Sequence, residues 1–168
     1  MYKLGTIVTD KASGLKGSLM LMQITGEGNR WYSFQPSGLH KEKQTPMDRL
    51  WITEDRVVGE KIEDPNLPTD ILGSEAEDIV TGFKGTVTGL IYHLNGCIHL
   101  QIQPKGSNSK TGELIPEQDF DIRMLKGKKI PKMTEEEKVK SEKKNPSPLS
   151  SASRISPNVV MHRTLRLR

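Results

Sequence analysis

The sequence predicts an all-β protein that consists of two small β-rich modules in tandem and a basic C-terminal tail. Three observations predict it: an internal repeat, strand and hairpin signals in both copies of that repeat, and a change of composition near Lys128. No segment within either copy shows helical periodicity over three turns. Only 33% of the 168 residues are hydrophobic and 5% aromatic, which favours small modules over one large core.

The repeat is clearest at two glycine-containing stretches, ASGLKGSLML at residues 12–21 and VTGFKGTVTG at residues 80–89. We call the difference in residue number between equivalent positions of the two copies, as between Asp10 and Asp78, the repeat offset. This one offset gives a series of identities that chance does not readily produce. They include Asp10 with Asp78, Gly14 with Gly82, Lys16 with Lys84, Gly17 with Gly85, Gln35 with Gln103 and Pro36 with Pro104.

Further along, the best match of identities requires two inserted residues in the second copy. The offset then grows by two, and it aligns Pro46 with Pro116, Leu50 with Phe120 and Ile52 with Ile122. We therefore expect a tandem duplication that covers roughly residues 4–59 and 72–127.

The second copy shows the strand signals best. GTVTGLIYHL is rich in β-branched and apolar residues and leads to Asn95-Gly96, a strong hairpin signal. CIHLQIQ then alternates apolar and polar residues, as a half-buried antiparallel strand does, and it stops at Pro104. A short strand follows a turn-rich segment, RLWI in the first copy and DFDI in the second, in which Leu50 with Ile52 and Phe120 with Ile122 are expected to point inward.

Four or five short strands in about 55 residues can bury an interior only by curling into a small barrel, which also removes exposed edges. We predict two small β-barrels of the Src-homology-3-like type, at residues 1–59 and 72–127. The segment between them, residues 60–71, contains two prolines and four acidic residues and is typical of a short semi-rigid linker.

The basic character of the chain lies in its C-terminal part. Residues 1–127 contain 14 Lys+Arg and 17 Asp+Glu, a net charge of −3, whereas residues 128–168 contain 11 Lys+Arg and four Glu, a net charge of +7. We predict that residues 128–168 form a largely extended tail or arm. Such a tail can bind nucleic acid or an acidic patch on a protein partner, or it can remain a solvated end.

The glycine-rich stretches predict architecture rather than a nucleotide site. A phosphate-binding loop needs Gly-x4-Gly-Lys-Ser/Thr between a strand and a helix, whereas the stretch at residues 80–89 leads into a strand and lacks that spacing. We expect Gly14 and Gly82 to adopt positive φ in a turn, and Gly17 and Gly85 to allow close backbone approach where a strand bends. Asp10 and Asp78 are expected to hydrogen-bond the backbone of that turn.

Other reactive side chains give no pattern of catalysis, and we predict neither a metal site, nor a cofactor, nor an enzyme. No spacing among His40, His93, His99 and His162 places two of them on one face beside a carboxylate. Cys97 and His99 share a strand face at about 7 Å, too far apart for a direct hydrogen bond. We expect His99 to be an exposed cross-strand partner.

Two tryptophans are the best candidates for binding. By alternation, Tyr32 and Phe34 belong to the core, so Trp31 faces outward, as Trp51 also does. Such residues can stack the bases of single-stranded nucleic acid or anchor a protein interface, and the acidic body favours the protein interface. The candidate interface residues are Trp31, Trp51, Lys16, Lys84, Arg163, Arg166 and Arg168.

The repeated pattern also resembles known sequences. Asp followed by Gly-apolar-Lys-Gly and a hairpin resembles the KOW-type element of transcription elongation factors and ribosomal proteins, in one short stretch of each copy. Over most of residues 76–127, VTGFKGTVTG, LNGCIHLQIQPKG and QDFDI resemble small uncharacterised proteins of tailed bacteriophages. The first copy departs from that pattern, with Glu27-Gly28-Asn29 in place of Asn95-Gly96-Cys97.

These resemblances imply two different functions. The phage resemblance implies a non-enzymatic virion protein, such as a capsid decoration (cement) protein or a tail or connector component, whose partners are other virion proteins and which acts without a membrane. The alternative is a phage nucleic-acid-binding or polymerase-associated regulator with KOW-like barrels, located in the host cytoplasm. The basic tail is the part of the chain that would contact nucleic acid in the alternative.

Overall fold

A computed structural model describes residues 1–131, and this part of the chain confirms the predicted all-β class. It contains ten β-strands and three short 3-10 helices, the latter at Glu54–Arg56, Thr69–Ile71 and Ile122–Met124. The strands are β1 (Ile7–Asp10), β2 (Lys16–Thr25), β3 (Arg30–Pro36), β4 (Leu50–Thr53), β5 (Val57–Val58), β6 (Glu75–Asp78), β7 (Lys84–His93), β8 (Ile98–Gln103), β9 (Gln118–Asp121) and β10 (Leu125–Lys126).

The two copies have the same topology. Their strand orders are β5-β1-β2-β3-β4 and β10-β6-β7-β8-β9, all antiparallel, with a 3-10 helix before the last strand of each copy. The last strand returns to pair with the first, Val57 with Asp10 and Leu125 with Asp78. The long strands β2 and β7 are each irregular at one point, which bends them. All ten strands belong to one sheet, and that sheet is not closed.

The repeat offset of Asp10 and Asp78 relates the two copies throughout, so the predicted insertion in the second copy is wrong. The same offset separates β4 from β9, and it separates the bridge of Leu39 with Pro46 from the bridge of Ser107 with Leu114. Phe120 therefore corresponds to Ile52 and not to Leu50. The proline identity that suggested a longer offset is coincidental, because these bridges make Pro46 equivalent to Leu114 and not to Pro116.

The same register makes Ile52 the core residue of β4. Leu50 lies on the same strand face, paired with the buried Phe34, but it is 38% exposed and does not join the core, whereas Ile52 is fully buried. Phe120 packs against the second core and against Phe83, with ring centroids 5.3 Å apart. Ile122 also packs on that core, although it lies in a 3-10 helix and not in a strand.

The two copies also begin alike, and the second core extends beyond its predicted bounds. Gly5 and Gly73, both at positive φ, donate hydrogen bonds to the carbonyls of the equivalent residues Leu19 and Val87.

Ile71, in the segment predicted to be a linker, is fully buried in the second core. Ile130, in the segment predicted to be tail, is also buried in that core. Residues 132–168, the remainder of the predicted tail, lie outside the described residues.

The four glycines of the repeated stretches have the predicted conformations. Gly14 and Gly82 both have a φ of 72°. At Gly85 a Cβ atom would overlap the carbonyl group of Gln103, and at Gly17 it would lie 2.7 Å from the ring of Phe34. The shared spacing of the two stretches thus follows from one turn and one close approach of strands in each copy.

The two copies join through β2 and β7. Leu21 pairs with His93, Gln23 with Ile91 and Thr25 with Gly89. Because Gln23 and Ile91 are equivalent positions of the two copies, this antiparallel pairing is two-fold symmetric about them. The pairing produces a continuous six-stranded run, β4-β3-β2-β7-β8-β9. Each copy keeps its own core cluster, and Leu67, Leu72 and Tyr92 pack against both.

Candidate interaction surfaces

The six-stranded run has an outward side, which we call the outer face. Directly paired residues place six side chains in one row across it, namely Thr53, Trp31, Gln23, Ile91, His99 and Asp121. Their strand neighbours on the opposite side, such as Tyr32, Ile52, Leu90 and Leu100, are fully buried. The row therefore runs from a tryptophan-containing half to a half with histidine and carboxylate groups.

Trp31 and Trp51 lie in the first half of the outer face, and both side chains face outward as the strand alternation predicts. Trp31 is 37% exposed and Trp51 is 49% exposed. Trp51 pairs with Ser33, whereas Trp31 pairs with Thr53, so the two indoles are diagonal neighbours on adjacent strands. The adjacent Arg30 points away from them and forms a salt bridge with Asp64. The result is an aromatic surface with little charge of its own.

His93 and His99 lie together in the second half, so the prediction that no two histidines share a face beside a carboxylate is wrong. Their ring centroids are 4.6 Å apart, and Asp121 pairs with His99 across β8 and β9. The hairpin at Asn95-Gly96 brings them together, because His93 ends one of its strands and His99 lies in the other. The signal was present in the sequence: residues on either side of a tight hairpin meet on one face.

The carboxylate beside this pair is already engaged. Asp121 accepts a hydrogen bond of 2.8 Å from Arg123 Nε, and this bond lowers the pKa of Asp121. His93 Nε2 is buried and has no hydrogen-bond partner in the described part of the chain. Within residues 1–131, no group of three or more His, Cys, Asp or Glu side chains is placed to hold a metal ion. The arrangement is thus a histidine pair beside an ion pair.

We expect the histidine pair to make stability depend on pH. Burial, and then the neighbouring His99, lower the pKa of His93 below its ordinary value of 6.5, while Asp119 and Asp121 oppose this weakly. A depressed pKa in the folded state means that the unfolded chain binds the proton more tightly, so folding stability is lost as the pH falls below about 6.5. We expect the Tm to fall between about pH 7.5 and about pH 5.5.

A matched variant tests the role of His93. The first copy has Thr25 at the equivalent position, so His93→Thr is compatible with the strand. Thermal unfolding of this variant, followed by circular dichroism, should show a smaller loss of Tm over the same pH range. An unchanged pH dependence would show that another group is responsible.

Asp10 and Asp78 organise the repeated turn, as predicted. Asp10 is fully buried and accepts hydrogen bonds from the backbone N–H groups of Ala12 and Ser13. Asp78 accepts from the backbone N–H and the hydroxyl of Thr81, at 2.7 and 2.6 Å. Asp10 additionally binds both Nε and Nη2 of Arg56, at 3.0 and 2.7 Å. These contacts lower the pKa of both carboxyl groups, Asp10 chiefly through Arg56 and Asp78 chiefly through Thr81.

Lys16 and Lys84 occupy equivalent places in different surroundings. Lys84 lines a groove of about 860 Å³ in the second copy, which we call the basic groove. Five lysines and two glutamates line it, namely Lys84, Lys105, Lys126, Lys128, Lys129, Glu75 and Glu77. Lys16 is exposed at the edge of the first copy, where the corresponding positions are mostly uncharged. Arg163, Arg166 and Arg168 lie outside the described residues.

Comparison with known proteins adds no relative: no protein-family model, curated protein or solved structure matches this chain. None of the helices within residues 1–131 has the length and apolar character needed to cross a membrane. The candidate surfaces are therefore defined by their geometry alone, as the outer face with its two tryptophans and the basic groove.

Proposed function

We propose that the chain is a non-enzymatic structural protein of a tailed bacteriophage, either a capsid decoration (cement) protein or a tail or connector component. It binds neighbouring virion subunits through the outer face and through its C-terminal arm. The pair of exposed tryptophans on a continuous six-stranded surface carries this proposal. Tryptophan is among the residues that most often dominate the energy of protein interfaces.

The phage origin rests on the resemblance of VTGFKGTVTG, LNGCIHLQIQPKG and QDFDI to small phage proteins. The remaining polar groups support a structural role. Asp10 and Asp78 each bind a turn, and Asp121 pairs with Arg123, so each of these carboxylates has a partner within the fold. A double module whose copies are joined by strand pairing, and which presents the outer face, suits a protein that docks on a lattice.

We also propose that each copy is a small barrel of the Src-homology-3-like type. In each copy the bent second strand pairs with the first strand at its beginning and with the third strand along its length. The last strand then returns to the first. This pairing and the separate core cluster of each copy support the proposal, because five strands curled around one cluster make a small barrel.

Mass spectrometry of purified mature particles tests the virion assignment. In particles assembled with the variant Trp31→Ala/Trp51→Ala, we expect at least a tenfold lower occupancy, because two interface anchors of about 2 kcal/mol each are lost. The control is Leu114→Ala/Val80→Ala, which removes two exposed apolar side chains outside the outer face. Equal incorporation of both variants would refute the role of the tryptophans.

Absence of the unaltered protein from mature particles would refute the virion assignment itself. The regulator alternative would then be supported by salt-dependent binding to DNA or RNA that is lost on deletion of residues 132–168. The deletion begins there because Ile130 is part of the second core.

A further inference from the structure

We propose that the basic groove of the second copy binds the phosphate groups of a nucleic-acid backbone. It runs along β6, the beginning of β7 and β10, with Lys105 just after the end of β8. This inference stands apart from the proposed virion role, since a protein inside or outside a particle can carry such a site. It also gives a function to Lys84, which the fold alone does not require.

The lysines of the groove are only partly neutralised. Lys105 pairs with Glu75, and Lys126 pairs with Glu77 at 3.0 Å. Lys84 and Lys128 form no salt bridge within residues 1–131, and both add to the effect of Lys105 in lowering the pKa of Glu75. Five lysines and two glutamates give the groove a net charge of +3, whereas residues 1–131 as a whole contain 16 Lys+Arg and 17 Asp+Glu, a net charge of −1. The rest of residues 1–131 therefore has a net charge of −4, and the groove is a positive region on an acidic body.

The first copy shows that the backbone does not need three of these five lysines, although it keeps Lys16 and Lys61 at the positions of Lys84 and Lys129. At the positions of Lys105, Lys126 and Lys128 it has Ser37, Val58 and Glu60. The strands at these positions pair in the same way in both copies. Since the same strand pairing forms without Lys105, Lys126 and Lys128, the backbone does not account for the presence of these three charges. A ligand of opposite charge does.

The composition of the groove indicates which anion it binds. Lysine ammonium groups act as point charges toward phosphate, and exposed Lys–Glu pairs are weak enough to be exchanged for it. Among residues 1–131 no aromatic side chain lines the groove, so this part of the chain offers no platform there for stacking bases. The described lining also contains no arginine or tryptophan, the residues that commonly anchor protein partners. We therefore expect contacts to the phosphate backbone without sequence preference.

Continuity with the C-terminal segment favours a long polyanion. Lys128 and Lys129 line the groove and also begin residues 128–168, whose net charge is +7. A nucleic acid offers regularly spaced phosphate charges to the groove and to the basic C-terminal segment, whereas an isolated anion would bind only in the groove.

The test is the salt dependence of binding by the full chain to a fluorescently labelled DNA duplex of about 20 base pairs, measured by anisotropy. We compare Lys84→Gln/Lys128→Gln with the control Lys16→Gln/Lys61→Gln, which removes the same charge from the equivalent region of the first copy. With a slope of roughly 0.9 per phosphate contact, the groove variant should reduce the slope of log K against log salt by about 1.8. The control should leave the slope unchanged, and Lys84→Arg/Lys128→Arg should retain it.

Three results would overturn the proposal. The first is an unchanged slope in the groove variant, and the second is an equal loss in the control. The third is displacement of the DNA by poly-glutamate at matched charge concentration as readily as by unlabelled DNA, because that would assign the groove to acidic protein. Circular dichroism establishes that the variants are folded, so a lost slope then reports binding.

Discussion

Replacing Gly85 with alanine should lower the free energy of unfolding by about 3 kcal/mol, among the largest effects expected of any single methyl group in this protein. The new Cβ atom would lie 2.5 Å from the carbonyl carbon of Gln103 and 2.8 Å from Cα of Pro104. Both are backbone atoms of the neighbouring chain segment, so they cannot rotate away as a side chain would. Urea unfolding followed by far-UV circular dichroism measures the loss.

Another glycine provides a matched control for this substitution. At Gly26 the nearest atom to an added Cβ is the carbonyl oxygen of Thr88, at 3.8 Å, which is an ordinary contact. We expect Gly26→Ala to change stability by less than about 0.5 kcal/mol. Gly17→Ala should resemble Gly85→Ala, because its Cβ would meet Phe34 and the backbone of Gln35. Similar stability of the Gly85 and Gly26 variants would contradict the close approach described for the second copy.

These glycines also show which parts of the fold can be predicted from the sequence. The turn at Gly82, the close approach of strands at Gly85 and the hairpin at Asn95-Gly96 are local features. Each requires a residue type, such as glycine, that few others can replace, and this residue is visible in the sequence. The register of β4 and β9 is not local, because it depends on which residues reach the core after a long loop. Ile52 and Phe120 both contact the core of their copy and are therefore equivalent. The identity of Pro46 with Pro116 concealed this equivalence in the sequence.

The junction of the two copies could not be predicted from the sequence, for a different reason. Gln23 and Ile91 have nothing in common as residue types, and yet they pair at the centre of a two-fold symmetric contact. The pairing depends on β2 and β7 each having a free edge where it bends away from its first partner strand. Such a contact between edges is set by the three-dimensional path of both strands, which residue patterns do not reveal.

The duplication has kept the framework and changed the surfaces. The turn aspartates and the close-approach glycines are the same in both copies, whereas Trp31 corresponds to His99 and Val58 corresponds to Lys126. The two-fold junction holds the altered surfaces in one body. An aromatic surface on the first copy and a basic groove on the second are then available to two different partners at once.

The second large effect is expected at Asp10, where alanine should cost about 3 kcal/mol of folding free energy. Asp10 is fully buried, and its removal deprives two backbone N–H groups, the Ser13 hydroxyl and the Arg56 guanidinium of their acceptor. Asp78→Ala is the matched control, because Met124 stands where the first copy has Arg56. It should cause a smaller loss, and the difference between the two variants measures the contribution of the Arg56 ion pair.

The pH dependence distinguishes this ion pair from a simple loss of packing. The pKa of Asp10 is held well below its ordinary value of 3.8, chiefly by Arg56. The stability that the carboxylate provides is therefore fully present above about pH 4 and is lost as the pH falls toward the depressed pKa. Urea unfolding of wild type and Asp10→Ala should accordingly give free energies that converge between about pH 5 and about pH 2. A difference that stays constant over this range would mean that Asp10 contributes through shape and not through its charge.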